Sequence, residues 1–408
     1  MFENLPEVKV MRDPIHEYIH VEKKVIWDCI DSPEFQRLRR IHQLGPAMYV
    51  YHSAEHSRFS HSLGVYEITR RMIKEVIHQE NLDEFDQVSL MCAALLHDIG
   101  HGPYSHSFEA LSHIQHEEFT VSLIQSNSTL HEILKSAHPD LPQAIVEILE
   151  HTHHHPLLSQ VISGQLDADR MDYLLRDAYF SGTSYGKFDL ERMLRTMRIV
   201  DNKLVVKASG VHTVEDYIIA RYHMYWQVYY HPISRSVEAL LLSFFKRLRV
   251  MYHNHELDNS LLAFHPFING RPISNEDFLM MDESSFQHLL KEASKHPDKI
   301  LSDFAYRLLN RDLFGFVDVI DKEHIQQVKD KIQNAGYDIE YYFLLSAAMQ
   351  IPYFPYAIKE KSMIWIVDEN NELQELSQAS ALVKAITLGK EKEDNKMFFP
   401  KELVWNIL

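Results

Sequence analysis

The run from Val88 to Gly100, VSLMCAALLHDIG, is apolar almost all the way round a helix and then ends on His97 and Asp98. A helix without a polar face has to be enclosed by other elements. The chain is therefore expected to fold as a mainly α structure with this segment buried at its centre. Two ionisable side chains at the end of a buried helix are costly unless something pairs with them. Gly100, Gly102 and Pro103 stop the helix immediately afterwards.

The flanking pattern supplies the enclosing helices. The first twenty residues read as extended and are broken by Pro14; Ser32-Pro33 then makes an N-cap with proline at the first helical position. A helix over EFQRLRRIHQL is expected to run until Gly45-Pro46, and another to start near Ser60 with Leu63, Val65, Ile68, Met72, Ile73 and Val76 inward. Helical patterns continue over Phe108–Ile124, Leu130–Ser136, Leu141–His151 and Leu166–Ala178. A long one runs from Val214 to about His253, interrupted near Pro232, and helices resume to about Asn310. Ile199 to Ala208 reads as a hairpin turning at Asp201-Asn202. SMIWIVDENNELQEL reads as two strands joined by a polar turn, and YYFLLSAAMQIPYF is partly strand-like. The expected division is a helical domain over 1–314 and a smaller mixed α/β region over 315–408.

Hydrophobic residues make up 45% of the 408 and charged residues 24%, which suits a globular chain with a sizeable core. The formal net charge of −17 repels nucleic acid and anionic lipid at long range, so general nucleic-acid or membrane binding is not expected. A small anionic substrate would need a local cluster of Arg, Lys, His or metal. Cys29 and Cys92 lie in apolar helix-like stretches, giving neither a disulfide framework nor a cysteine metal site and pointing to a reducing compartment. The N-terminus lacks the apolar stretch of a signal peptide, and the longest apolar run is too short to span a bilayer. The expected location is cytoplasmic.

Histidine, with 27 copies, is the outlier. His61 opens the helix before the buried one, and Asp169 opens a later one. With His97 and Asp98 they make two imidazoles and two carboxylates, a set that suits a divalent first-row metal and leaves positions for water. The competing reading makes His97 a satisfied core histidine and Asp98 a capping residue. Asp169, Arg170, Tyr173 and Asp177 fall broadly along one helical face, and Asp169 rather than Asp167 keeps that register. Arg221, Tyr225 and Tyr229, spaced by four, make a second stripe that on its own reads as core packing. The run His151, His153, His154 and His155 reads as a solvated loop. GTSYGK over 182–187 falls one residue short of a phosphate loop. Glu117 and Glu118 read as a polar helix face, and Glu391–Asp394 as a solvated loop.

The segments SRFSHSLGVYEITRR, ALLHDIGHGPYSHSFE and DADRMDYLLRD resemble the H…HD…D signature of the HD superfamily. More narrowly they resemble its deoxynucleoside triphosphate triphosphohydrolase branch, whose animal members carry a sterile-alpha-motif domain that is absent here. The match continues in KVMRDPIHEYIHV, DSPEFQRLRRIHQLG and RYHMYWQVYYHPISRS, with gaps, from about Lys9 to Phe245.

The resemblance implies that His61, His97, Asp98 and Asp169 hold a divalent metal ion; Mn, Mg, Fe, Co, Ni and Zn all remain open. It implies that Arg58 contacts the α-phosphate and that His101, His106 and His116 line the site. His106 would be the acid for the departing 5′-oxygen and Glu109 its orienting partner, a position held by Asp in the animal enzyme. Arg170 and Arg221 would meet phosphates, and Tyr229 would pack beside the sugar with Tyr173 and Tyr225 on the same stripes. Gln43, Leu44 and Asp177 match positions that recognise the 3′-hydroxyl and exclude a 2′-hydroxyl. Lys9, Val10, Asp31, Gln36 and Arg39 match positions that read an activating guanine nucleotide between subunits, which implies a homotetramer. The implied reaction cleaves a dNTP to deoxynucleoside and inorganic triphosphate. The alternatives are an HD phosphohydrolase acting on monophosphates or signalling nucleotides, and a non-catalytic nucleotide sensor.

Overall fold

The computed structural model describes residues 1–77, 82–126, 128–350, 363–387 and 392–404, apart from the side chains of His106, Met349, Gln350 and Lys392. The chain is mainly α. The apolar segment lies in the helix Glu84–Leu96, where Val88, Ser89, Leu90 and Cys92–Leu96 are all without exposure. Asp83 caps its start by accepting from the Asp86 N–H at 2.8 Å. It is flanked by the helices Arg58–Met72 and Leu141–Leu149, and Ala168–Ser181 packs on the first of these. The C-terminal end of the central helix thus meets the N-terminal turns of two neighbours.

Asn4–Asp13 and Glu17–Lys23 form an antiparallel hairpin. Met197–Val200 and Lys203–Lys207 pair antiparallel around Asp201-Asn202. The second of these strands pairs in parallel with Trp365–Val367, which pairs with Leu373–Glu375, so the C-terminal region shares a sheet with the hairpin near residue 200. A second C-terminal sheet places Lys392–Pro400 between Phe314–Asp318 and Leu344–Gln350.

Several elements differ from the sequence expectation. The helix expected up to Gly45 is α-helical only over Pro33–Arg37, tightens to a 3-10 turn over Leu38–Arg40 and then leaves helical geometry. Tertiary bonds outcompete the helix there: the Arg58 N–H donates to Ile41 O, Gln43 N–H to His56 O, and His42 N–H to Glu283 Oε2, all at 2.9 Å. The stretch Phe108–Ile124 is broken at His113, which takes a left-handed φ of 58°, into His106–Ser112 and His116–Gln125. A helix over Pro156–Ser163 was not anticipated. Residues 392–394 of the acidic run lie in a strand, where Asp394 pairs with Arg235, and Glu391 lies outside the described residues. GTSYGK begins with the left-handed C-cap glycine of Ala168–Ser181, φ 71°, which explains its glycine without a phosphate.

The Arg58–Met72 and Ala168–Ser181 helices approach closely because residue 64 is glycine. A Cβ there would stand 1.8 Å from Asp172 Oδ1 and 2.5 Å from an Arg176 nitrogen. Gly64→Ala is therefore expected to lower the unfolding free energy by about 1–3 kcal/mol, read as a lower urea midpoint. An unchanged midpoint would contradict this packing.

Candidate active site

His61 lies in the first turn of Arg58–Met72 and its side chain is 1% exposed. Its Nδ1 meets Asp172 Oδ2 at 2.8 Å, which turns Nε2 toward Asp169 Oδ1 at 3.1 Å and Asp98 Oδ2 at 3.7 Å. His97 caps the central helix, and its Nδ1 meets the Ala94 carbonyl at 2.9 Å. A carbonyl only accepts, so that ring carries a proton on Nδ1 and turns Nε2 toward the carboxylates. That Nε2 is 3.4 Å from Asp98 Oδ1 and 3.6 Å from Asp169 Oδ1. Asp169 sits in the first turn of Ala168–Ser181, while Asp167 is the N-cap and accepts from the Arg170 N–H at 2.7 Å.

Both Nε2 atoms are buried without a hydrogen-bond partner among the described residues; the His61–Asp169 contact is close but misaligned for one. Donor atoms bound to one ion at about 2.0–2.2 Å stand roughly 3–4 Å apart. His61, His97 and Asp169 bring one donor atom each within 4.8 Å of one another, and Asp98 reaches His61 through one oxygen and His97 through the other, so the residues present fit a divalent cation held by these three with Asp98 beside them. Burial opposes charge on Asp98, but Arg58, His97 and His101 outweigh it and hold this carboxyl well below the usual range. Burial likewise opposes charge on Asp169, and His61 and His97 outweigh it in the same direction.

The support behind His61 was not anticipated from the sequence. Asp172, with no exposure, also meets His16 Nε2 at 2.6 Å and accepts from Arg176 at 2.8 and 2.9 Å. Arg176 continues to Asp13 at 2.9 and 3.2 Å. The i,i+4 spacing of Asp172 and Arg176 was a local signal for part of this network. Nothing local points to Asp13 or His16, which arrive from the N-terminal hairpin.

Arg58 pairs with Asp98 and donates to Ser105 Oγ at 2.9 and 3.2 Å. Ser105 and Tyr104 both take positive φ, 52° and 58°. Such conformations cost roughly 1–3 kcal/mol each and persist only where the surroundings enforce them. Here the Tyr104 N–H donates to Glu283 at 3.2 Å, and its hydroxyl bonds Gln287 at 2.6 Å and Tyr49 at 3.2 Å. The Arg37 guanidinium, 1% exposed, donates to the His101 carbonyl at 2.8 Å and fixes the same turn. The His101 and His116 rings stack at 3.8 Å. Burial, reinforced by Arg58, pushes the His101 pKa well down, so this ring is neutral. Glu109 meets His116 Nδ1 at 2.7 Å and so orients His116. His106 opens the helix His106–Ser112; its side chain lies outside the described residues.

A cavity of about 500 Å³ opens over this centre. Its lining includes Arg58, Asp98, His101, His116 and Asp169 on one side and Gln43, Leu44, Tyr173, Asp177, Tyr225 and Tyr229 further out. Asp177 is held by His56 Nε2 and the Tyr229 hydroxyl, both at 2.8 Å. Gln43 Oε1 is buried and has no hydrogen-bond partner among the described residues. The tyrosine stripe departs from plain helical spacing, because Tyr225–Tyr229 is a π turn after Val211–Met224. Such turns gather at functional sites. Arg170 and Arg221 are not in the lining; both donate to Gln165 Oε1, at 3.3 and 3.1 Å. A second cavity of about 580 Å³ shares Asp98, His116 and Asp169 with the first, adds His97, and is walled by Glu117, Glu118, Glu150 and His151. The centre is thus open from two sides.

The five positions assigned to an effector lie on the first strand and on the three short helical segments between Lys24 and Arg40. Lys9 and Val10 are on the first strand, with Val10 51% exposed. Asp31 ends the helix Lys24–Asp31. Gln36 accepts from Arg39 at 2.8 Å, and the Arg39 guanidinium covers the Phe59 ring at 3.6 Å.

Fold and centre together define a helical protein with a two-histidine, two-aspartate cluster at the floor of a cavity. Comparison with known proteins gives the class. A family model described as HD domain matches residues 58–177, and one described as HD associated region matches 188–398. The uncharacterized protein YwfO of Bacillus subtilis is 41% identical over 98% of this chain and 94% of its own. The Dictyostelium discoideum deoxynucleoside triphosphate triphosphohydrolase SAMHD1 homolog is 27% identical over 76% of this chain and 60% of its own length. A crystal structure of a phosphohydrolase from Bacteroides thetaiotaomicron superposes with a TM-score of 0.86 at 28% identity, covering 96% of this chain and all of that one. This chain belongs to the HD-domain phosphohydrolase family, with relatives among the deoxynucleoside triphosphate triphosphohydrolases. No helix among the described residues is long and apolar enough to cross a membrane.

Removing a carboxylate that orients a ligand histidine commonly costs 10–100-fold in metal affinity. Asp172→Asn is expected to weaken Mn²⁺ binding about 10–100-fold by calorimetry, with the helical circular dichroism retained. Unchanged affinity in the folded variant would remove Asp172 from the centre.

Proposed function

We propose that this protein is a metal-dependent dNTP triphosphohydrolase, releasing deoxynucleoside and inorganic triphosphate. The observation that carries this reading is the cation-type cluster at the floor of a cavity whose outer wall is built from tyrosines, Asp177 and the unpartnered Gln43 Oε1. A cavity of this size suits a nucleotide. Its lining carries Asp98, Asp169, Asp177 and Glu238 against a single arginine, Arg58. A polyphosphate cannot enter such a field without cations, which ties substrate binding to a metal.

His61, His97, Asp98 and Asp169 would hold a divalent ion, which would supply Lewis-acid polarisation and lower the pKa of water. Arg58, poised between Asp98 and Ser105, neutralises charge developing on the α-phosphate oxygens. Water adds to the α-phosphorus and the bond to the 5′-oxygen breaks, so that oxygen needs a proton. His106 is the assigned donor. A second assignment has specific support: His116 lines the cavity and is oriented by Glu109 at 2.7 Å. Gln43, Leu44 and Asp177 are assigned to recognise the 3′-hydroxyl and exclude a 2′-hydroxyl, and Tyr229 packs beside the sugar. Tyr173 and Tyr225 pack against sugar and base. Arg170 and Arg221 reach the outer phosphates by leaving Gln165.

The same reading assigns Lys9, Val10, Asp31, Gln36 and Arg39 to a guanine-nucleotide effector, with a homotetramer as the active assembly and the cytoplasm as its location. Lys9 and Arg39 offer cations, and Asp31 can accept from the guanine N1 and N2 hydrogens.

The metal-loaded protein incubated with each dNTP is expected to yield deoxynucleoside and triphosphate on anion-exchange chromatography. Pyrophosphate with dNMP would overturn the reaction assignment. Arg58→Met is expected to lower kcat about 10²–10³-fold, the scale for losing one preorganised donor at a developing oxyanion. A change confined to KM would give Arg58 a binding role only.

A further inference from the structure

The histidine run after the Leu141–Leu149 helix is not a solvated loop throughout. His153 is buried, and the run folds over the first turn of the central helix, where Asp86 is also buried. Among the described residues, the ionic neighbours of Asp86 within 4 Å are three imidazoles. His153 Nε2 stands 3.7 Å from Oδ1, and His154 and His155 Nε2 stand 3.9 and 3.3 Å from Oδ2. These separations exceed the usual hydrogen-bond range of about 2.7–3.2 Å. They match the roughly 3–4 Å between donors that share one ion, the same spacing found at the first centre. Asp86, His153 and His154 have their donor atoms within 4.8 Å of one another.

We infer that Asp86, His153 and His154, completed by His155, form a second metal site that takes a first-row transition ion of the zinc type. With His155, which already stands 3.3 Å from Asp86, drawn in as the fourth donor, three imidazoles and one carboxylate would make a closed set, the arrangement of a structural rather than a catalytic ion. The loop is already pinned for the purpose. The Thr152 and His153 N–H groups donate to the Glu147 carbonyl at 2.8 and 3.0 Å, and Pro156 starts the next helix. The His155 N–H donates to His153 Nδ1 at 3.2 Å, so the proton of the neutral ring sits on Nε2. Ion uptake through Nε2 moves that proton to Nδ1 and gives up this long bond.

The site ties the start of the central helix to the loop carrying Glu150 and His151, which wall the second cavity. It lies at the opposite end of that helix from His97 and Asp98, and it does not rest on the dNTP reading. Its sequence signal was three consecutive histidines, whose partner Asp86 lies too far along the chain to be seen locally.

The test counts zinc by mass spectrometry in the full-length protein after zinc loading and desalting. A His61→Ala/Asp169→Ala background, which disables the first centre, is expected to retain one zinc per chain. Adding His154→Ala and His155→Ala is expected to abolish it. Both of these side chains are largely solvent-facing, at 67% and 43% exposed, so the fold is not at risk. As a second readout, Co²⁺ in the same background is expected to give the intense visible absorption of a tetrahedral ion, lost in Asp86→Asn. If the background does not fold, the wild-type count should fall from two to one with His154→Ala/His155→Ala alone. No zinc in the folded background, or zinc that survives loss of both histidines, overturns the site. A wild-type count of one that His154→Ala/His155→Ala abolishes would support this site and instead remove the first centre.

Discussion

The arrangement turns on one buried carboxylate. Asp172 is closed off from solvent and takes bonds from His16, His61 and Arg176. A lone carboxylate in that position would be neutral or expelled. Burial does oppose its charge, yet Arg176 and the two imidazoles hold its pKa well below the ordinary range. The charged carboxylate in turn fixes the His61 ring so that Nε2 points at Asp98 and Asp169. Removing one partner of such a network costs roughly 3–5 kcal/mol and leaves a buried charge behind. Site geometry and fold stability are therefore the same interaction seen from two sides. The N-terminal hairpin is bound into it through Asp13 and His16, and Gly64 clears the space it occupies.

The central helix and its terminal His-Asp pair were legible because apolar periodicity and a glycine-proline stop are local signals. The hairpins near residues 200 and 370 were legible for the same reason, from polar turns between β-rich runs. What was not legible depends on contacts between distant residues. The helix from Pro33 ends early because carbonyls and N–H groups of residues 41–43 bond to residues 56, 58 and 283. Glu109 pairs with His116 only because His113 breaks the stretch and folds one helix back along the next. The π turn over Tyr225–Tyr229 rotates a stripe that even spacing would have kept in line. Arg170 and Arg221, expected at phosphates, are held by Gln165, a residue with no distinguishing sequence feature.

Charge explains why a protein of net charge −17 suits an anionic substrate only with a cation in place. The cavity carries more carboxylates than guanidinium groups, and burial raises the pKa of Glu238 at its rim to about 7 against the pull of Arg235. Burial opposes protonation of His61 and His97, yet the neighbouring carboxylates favour it and raise His61 to about 10, so a bound ion would take the place of those protons. With one, the same residues become a neutralised platform beneath Arg58. The strained Tyr104–Ser105 turn keeps that arginine beside the ligand set instead of in solvent.

The central claim is that His61, His97, Asp98 and Asp169 share one ion. An anomalous difference map from crystals soaked in Mn²⁺ tests it directly. The account predicts a peak within bonding distance of both Nε2 atoms and of one oxygen from each aspartate. Density bound elsewhere, with these four side chains unchanged and unbridged, would contradict it.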